Sequence, residues 1–142
     1  MSVLPYQYVT LRCVPRVERE EFVNVGVVLF CQAAELLLSG HDLHADRLRA
    51  LDPGLDLEAL RAALAQVDAV CRGEACRPDL TRQGARFGWL AAPRSTVLQP
   101  GPRHGGLTED PEAELDRLVA RLVSPPTSQE PRPTALDGRS RG

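Results

Sequence analysis

Lysine and isoleucine are absent from this 142-residue chain, asparagine occurs once, and aromatic residues make up only 4%. All 17 basic residues are therefore arginine, a usage that points to a genome avoiding A/T-rich codons. In that background the lone asparagine, Asn24, reads as kept for its amide. It lies inside the most apolar run of the chain, Phe22-Val23-Asn24-Val25-Gly26-Val27-Val28-Leu29-Phe30. Neither G-x-x-x-x-G-K-[ST] nor G-x-G-x-x-G occurs, which disfavours nucleotide binding through a glycine loop. No segment reaches the roughly 18 to 20 uninterrupted apolar residues of a membrane span. Met1 to Tyr6 also lacks the basic start and apolar core of a signal peptide, so a cytoplasmic protein with no membrane partner is expected. A formal charge of -2 makes nucleic acid an unexpected partner, since phosphate neutralisation draws on a dense cationic excess. Cys13, Cys31, Cys71 and Cys76 form no C-x-x-C unit. They read as small buried hydrophobes, and no metal or cofactor is expected.

At 43% hydrophobic, the chain is long enough to bury a sizeable core. One α+β domain over residues 1–123 is expected, with a disordered Pro-rich tail over 124–142. Tyr6 to Val14 alternates, with Val9, Leu11 and Cys13 on one face and Tyr8, Thr10 and Arg12 on the other, the period of a half-buried strand. Val25 to Cys31 is continuous and β-branched, as in a strand covered on both faces. The short linker Gln32-Ala33-Ala34 joins it to a further strand over Glu35 to Ser39. Leu48 and Leu51 mark a short helix with Asp42 as its candidate cap, stopped by Asp52-Pro53-Gly54. A longer helix begins at the cap Asp56, carries Leu57, Leu60, Leu64, Val67 and Cys71 as one stripe, and exits at Gly73. Ser95 to Gln99 reads as a strand and Pro100 to Gly106 as a turn-rich loop. Asp110-Pro111-Glu112 then opens a last helix with Leu115, Leu118, Val119 and Leu122 buried. The sum is an antiparallel sheet of about four strands packed by two or three helices.

The charged stretch before the apolar run gives the first candidate site. Arg16 or Arg19 offers a planar donor fork for an anion, and Glu21 or Asn24 offers groups to orient it. The competing structural reading has Asn24 satisfying orphan backbone groups while the charges pair in solvent, and it is the favoured one. Arg94 and Ser95, close to the only tryptophan, Trp89, form a second candidate, with donors at a sheet edge. His104 could act as acid or base from its glycine-flanked segment. Ser95, His104 and Asp110 lack a nucleophile-elbow context, so a hydrolase triad is disfavoured.

Several ordered motifs carry a resemblance. Tyr6-x-Tyr8 and Arg12-x-x-Pro15 are followed by Glu20-Glu21-Phe22-x-Asn24-x-Gly26-Val27, then by Ala92-Pro93-Arg94-Ser95 and Gly106-Leu107-x-x-Asp110-Pro111. From about Tyr6 to Val123 the chain resembles the bacterial family called domain of unknown function 3037. The resemblance implies a small cytosolic protein with no assigned catalytic residues. It implies a partner resembling toxin-type kinases, and it suggests that Glu21, Asn24, Arg94 and Ser95 converge at one end of the sheet.

These readings favour a non-enzymatic binding or regulatory module that recognises a protein partner or a small anionic ligand through Arg16, Glu21, Asn24, Arg94, Ser95 and His104. The alternative is an enzyme on a phosphate-containing or nucleic-acid substrate, with Glu21 or His104 as acid or base and Arg94 stabilising negative charge. A homodimer joined through a free sheet edge is a third arrangement.

Overall fold

The computed structural model describes residues 2–74 and 79–126. Among these, five strands form one antiparallel sheet: β1 (Leu4–Cys13), β2 (Val23–Cys31), β3 (Leu36–His41), β4 (Leu98–Pro100) and β5 (His104–Thr108). Four helices accompany it: α1 (Ala45–Leu51), α2 (Leu57–Cys71), α3 (Gln83–Leu90) and α4 (Pro111–Leu122). The class is α+β, as the alternation and the amphipathic stripes require.

The sheet runs β3-β2-β1, and the far edge of β1 is shared. β4 pairs with Leu11 to Cys13, and β5 pairs with Leu4 to Tyr8. β5 corrects the expectation of a loop, because glycine here serves packing instead of turning. A Cβ on Gly106 would lie 2.6 Å from the Tyr6 hydroxyl oxygen, so only glycine leaves room for that ring. β4 likewise begins later than expected, although the Val14 amide already bonds the Val97 carbonyl at 2.7 Å. α3 has no counterpart among the expected elements; it buries Phe87 and Leu90, too few positions to establish a period.

The two longer helices start where short polar caps put them. Asp56 accepts from the Ala59 amide at 3.0 Å and Asp110 from the Ala113 amide at 3.2 Å, with Pro111 first in the α4 turn. Gly73, at φ 76°, takes the left-handed position after α2. α1 departs from expectation: its cap position is His44, which makes no capping bond, and the Asp42 carboxylate turns instead to Ser124 at 2.6 Å and His44 at 2.9 Å.

Each face of the sheet has its own core. Val9, Leu11, Cys13, Val25 and Val28 pack against Leu60, Leu64 and Val67 of α2 and Phe87 and Leu90 of α3. Tyr6, Val27, Leu29 and Cys31 pack against Leu115 and Leu118 of α4. Full burial of side chains such as Phe87 or Leu64 stabilises by roughly 1.5–3 kcal/mol each.

β2 changes face once. Leu11 is opposite Gly26 but Arg12 is opposite Asn24, so Val25 is an extra residue in a β-bulge. Strict alternation would put Asn24 on the α2/α3 side with Val28; the bulge turns it to the α4 side. Beside the bulge, Gly26 lets β3 approach closely, since a Cβ there would stand 2.9 Å from the Gly40 carbonyl oxygen.

Of the tail expected to be disordered, residues 127–142 lie outside the described residues, as does Cys76. Ser124 is held, with its amide bonded to the Val119 carbonyl and its hydroxyl to Asp42.

Candidate functional site

Opposite residues on neighbouring strands share a face, and the register aligns three polar side chains across the sheet. Asn24 of β2 faces Arg12 of β1, which faces Gln99 of β4. The row lies on the α4 side, where Tyr6 and Tyr8 precede Arg12 by even steps along β1. α4 lies chiefly across β2 and β3, and its end reaches Asn24 of this row.

Asn24 holds the end of that helix. Its side-chain nitrogen donates to the Leu122 carbonyl at 3.1 Å, and Arg47 donates to the next carbonyl, Val123, at 3.1 Å. The last carbonyls of a helix have no intrahelical partner, and these two bonds satisfy them from β2 and α1. This agrees with the structural reading of Asn24, although the orphan groups belong to α4 and not to the strand entrance.

Arg12 is the side chain without an assignment. Its guanidinium lies 4.2 Å from the centre of the Phe22 ring, and it makes no hydrogen bond or ion pair with any described residue. Its Nε is buried and unpartnered, as is Oδ1 of Asn24. Behind it runs Gly101, where a Cβ would meet Thr10 Oγ1 at 2.7 Å and Arg12 Nε at 3.1 Å. In front opens a cavity of about 290 Å³ lined by Arg12, Val14, Val17, Glu20, Phe22 and Gln99. Phe22, 44% exposed, stacks its ring on the guanidinium.

The charges around this opening are mostly matched. Arg16 approaches Asp52 at 3.8 Å, and Arg19 bonds Glu21 at 2.6 Å. The arginine holds the Glu21 carboxyl below its ordinary value. Glu20, between them, closes the 3-10 turn Val17–Arg19 at φ 56°; its carboxylate has no partner among the described residues.

The other sequence candidates lie elsewhere. Arg94 folds back on α3, bonding the Trp89 and Ala92 carbonyls with its guanidinium 4.7 Å from the Trp89 ring centre, and burial lowers its pKa. Ser95 is exposed ahead of β4. His104 is in β5, opposite Tyr8 and stacked on its ring at 5.2 Å. No hydrogen bond or ion pair joins Arg94 or Ser95 to Glu21 or Asn24 among the described residues. Nor is Ser95 bonded to His104, while Asp110 is occupied as the α4 cap. Two cysteines are poor nucleophiles: burial raises the Cys13 and Cys71 thiols to about 11 each. A polar cluster links β3 to α2, with Asp68 accepting from Ser39 at 2.5 Å and contacting His41 at 3.2 Å. The carboxylate stands between hydroxyl and imidazole, so the order of a nucleophile relay is not met.

The family model described as "Protein of unknown function (DUF3037)" matches residues 8–123. The chain belongs to the DUF3037 family. Comparison with curated proteins and with solved structures gave no match. The DUF3037 match runs from β1 to the end of α4 and so includes the whole Asn24–Arg12–Gln99 row. Among the described residues of this DUF3037 member no helix is long and apolar enough to cross a membrane. Arg12 and Gln99 escaped nomination as site residues because alternation placed Arg12 on a face expected to be solvated. The available signal was the same alternation: a strand face carrying Tyr8, Thr10 and Arg12 beside a bulge.

Proposed function

We propose that this protein is a binding module, folded as one domain, that takes a small anionic ligand at the guanidinium of Arg12. One observation carries the reading: Arg12 lies in a cavity with no hydrogen-bond or ion-pair partner among the described residues, and its Nε is buried. Buried polar groups are rarely left unpaired in folded proteins, and a guanidinium offers carboxylate or phosphate two parallel donors. The ring of Phe22 orients the cation without neutralising it.

Binding is favoured over catalysis by placement. Glu21 is tied to Arg19, His104 is stacked in β5, and Arg94 is folded on α3, so each group of the enzymatic alternative is engaged in a contact of its own. The reading is tested by calorimetric titration of the full chain with orthophosphate and with acetate, alongside an Arg12→Met variant. Saturable binding of at least one phosphate or carboxylate ligand that the variant loses supports it; failure of every ligand of both classes, or binding indifferent to Arg12, overturns it.

A further inference from the structure

The cavity carries two unmatched charges of opposite sign. Arg12 is the cation; Glu20 lines the same cavity, and its carboxylate is paired neither with Arg12 nor with any other described residue. Their neighbours are matched, Arg16 with Asp52 and Arg19 with Glu21. Glu20 also occupies the left-handed region at φ 56°, with its amide bonded to the Val17 carbonyl at 3.2 Å. Glycine would adopt that conformation without strain, whereas glutamate there brings an acidic residue to the cavity. The remaining walls are Val14, Val17 and Phe22, which are apolar, and Gln99.

We infer that the ligand is a zwitterion, a free α-amino acid with an apolar side chain, its carboxylate on Arg12 and its ammonium on Glu20. The inference rests on the anion-site reading of Arg12 and adds the second charge. A simple anion would satisfy Arg12 but be repelled by Glu20; an α-amino acid neutralises both, with the side chain left for Val14, Val17 and Phe22. A volume of about 290 Å³ stands at the small end of ligand pockets, roughly 300–1,000 Å³, a scale suited to one amino acid.

The test is calorimetric titration of the full chain with L-valine, L-leucine and L-phenylalanine. Each is paired with the acid lacking its amine: 3-methylbutanoate, 4-methylpentanoate and 3-phenylpropanoate. At least one amino acid is expected to bind about tenfold or more tightly than its deaminated partner. Glu20→Gln, at an exposed position, should bring that ratio close to one while leaving the deaminated acid bound as well or better. Arg12→Met should lose both ligands; if that variant fails to fold, the Glu20→Gln ratio decides alone. Deaminated acids binding as tightly as the amino acids, or orthophosphate binding where no amino acid does, overturns the zwitterion and leaves the anion site standing. Failure of orthophosphate and of every carboxylate and amino acid overturns both.

Discussion

Arg12 and Asn24 face each other across β1 and β2, and each holds a buried polar atom without a partner, a donor in Nε and an acceptor in Oδ1. The two differ in what else they do. Asn24 spends its nitrogen on the end of α4, whereas Arg12 has no bond of its own to lose, so loss of one should cost stability and loss of the other should not.

Arg12→Met retains an apolar stem against Phe22 and removes a buried donor whose desolvation is uncompensated, a penalty of about 1–3 kcal/mol in proteins. Its unfolding free energy in a urea titration is therefore expected to match or exceed that of the parent chain. A clear loss of stability would show that Arg12 is chiefly a packing residue.

Asn24→Ala removes the partner of the Leu122 carbonyl at the end of α4. The expected cost is about 1 kcal/mol, the usual net value of a hydrogen bond, with increased hydrogen exchange in the last turn of the helix. Exchange unchanged over residues 119–123 would contradict the clamp.

Gly101→Ala places a methyl group 2.7 Å from Thr10 Oγ1 and 3.1 Å from Arg12 Nε. Overpacking of this kind costs about 1–3 kcal/mol. Because the nearest atom is the threonine hydroxyl, Thr10→Ala in the same chain should recover part of the loss. Equal denaturation midpoints for Gly101→Ala and the parent chain would rule out the close approach.

Asp42 and Glu114 contribute to the acid limb of stability. The Ser124 hydroxyl, then His44, lowers the Asp42 carboxyl. Burial would raise Glu114, but hydrogen bonds from Arg117 and Tyr6 outweigh it and leave the group low. A carboxyl depressed in the folded state contributes fully above its unfolded pKa, near 4. That contribution is lost as pH falls through the folded value, because the unfolded chain binds protons first. Thermal midpoints should fall between about pH 5 and pH 3, and Asp42→Asn with Glu114→Gln should flatten the fall; a slope equal to the parent's would remove these groups from the account.

Wherever a rule is local, the residues already stated the outcome. Asp56 and Asp110 announce their helices because a side chain three residues from an amide needs no other part of the protein to bond it. The stripe from Leu57 to Cys71 and the alternation from Tyr8 to Cys13 declare their periods within one element. Pro100 to Gly106 reads as a loop because glycine favours turns, but Gly106 instead leaves room for the Tyr6 ring, a hundred positions away in sequence.

The candidate site followed the same division. Asn24 stood out by its rarity and by its apolar setting, and the arginines and glutamates around it were visible as a cluster. Which of them would be left unmatched was not. Arg16 found Asp52, Arg94 found the carbonyls at the end of α3, and Arg12 found only an aromatic ring. The sequence by itself determined β1, β2, β3, α2 and α4 with the caps Asp56 and Asp110, since these depend on interactions spanning a few residues. Only the tertiary structure decided the bulge at Val25, the row Asn24–Arg12–Gln99 and the two unpaired charges at one cavity, because charge pairing depends on distances that strand register and helix placement set.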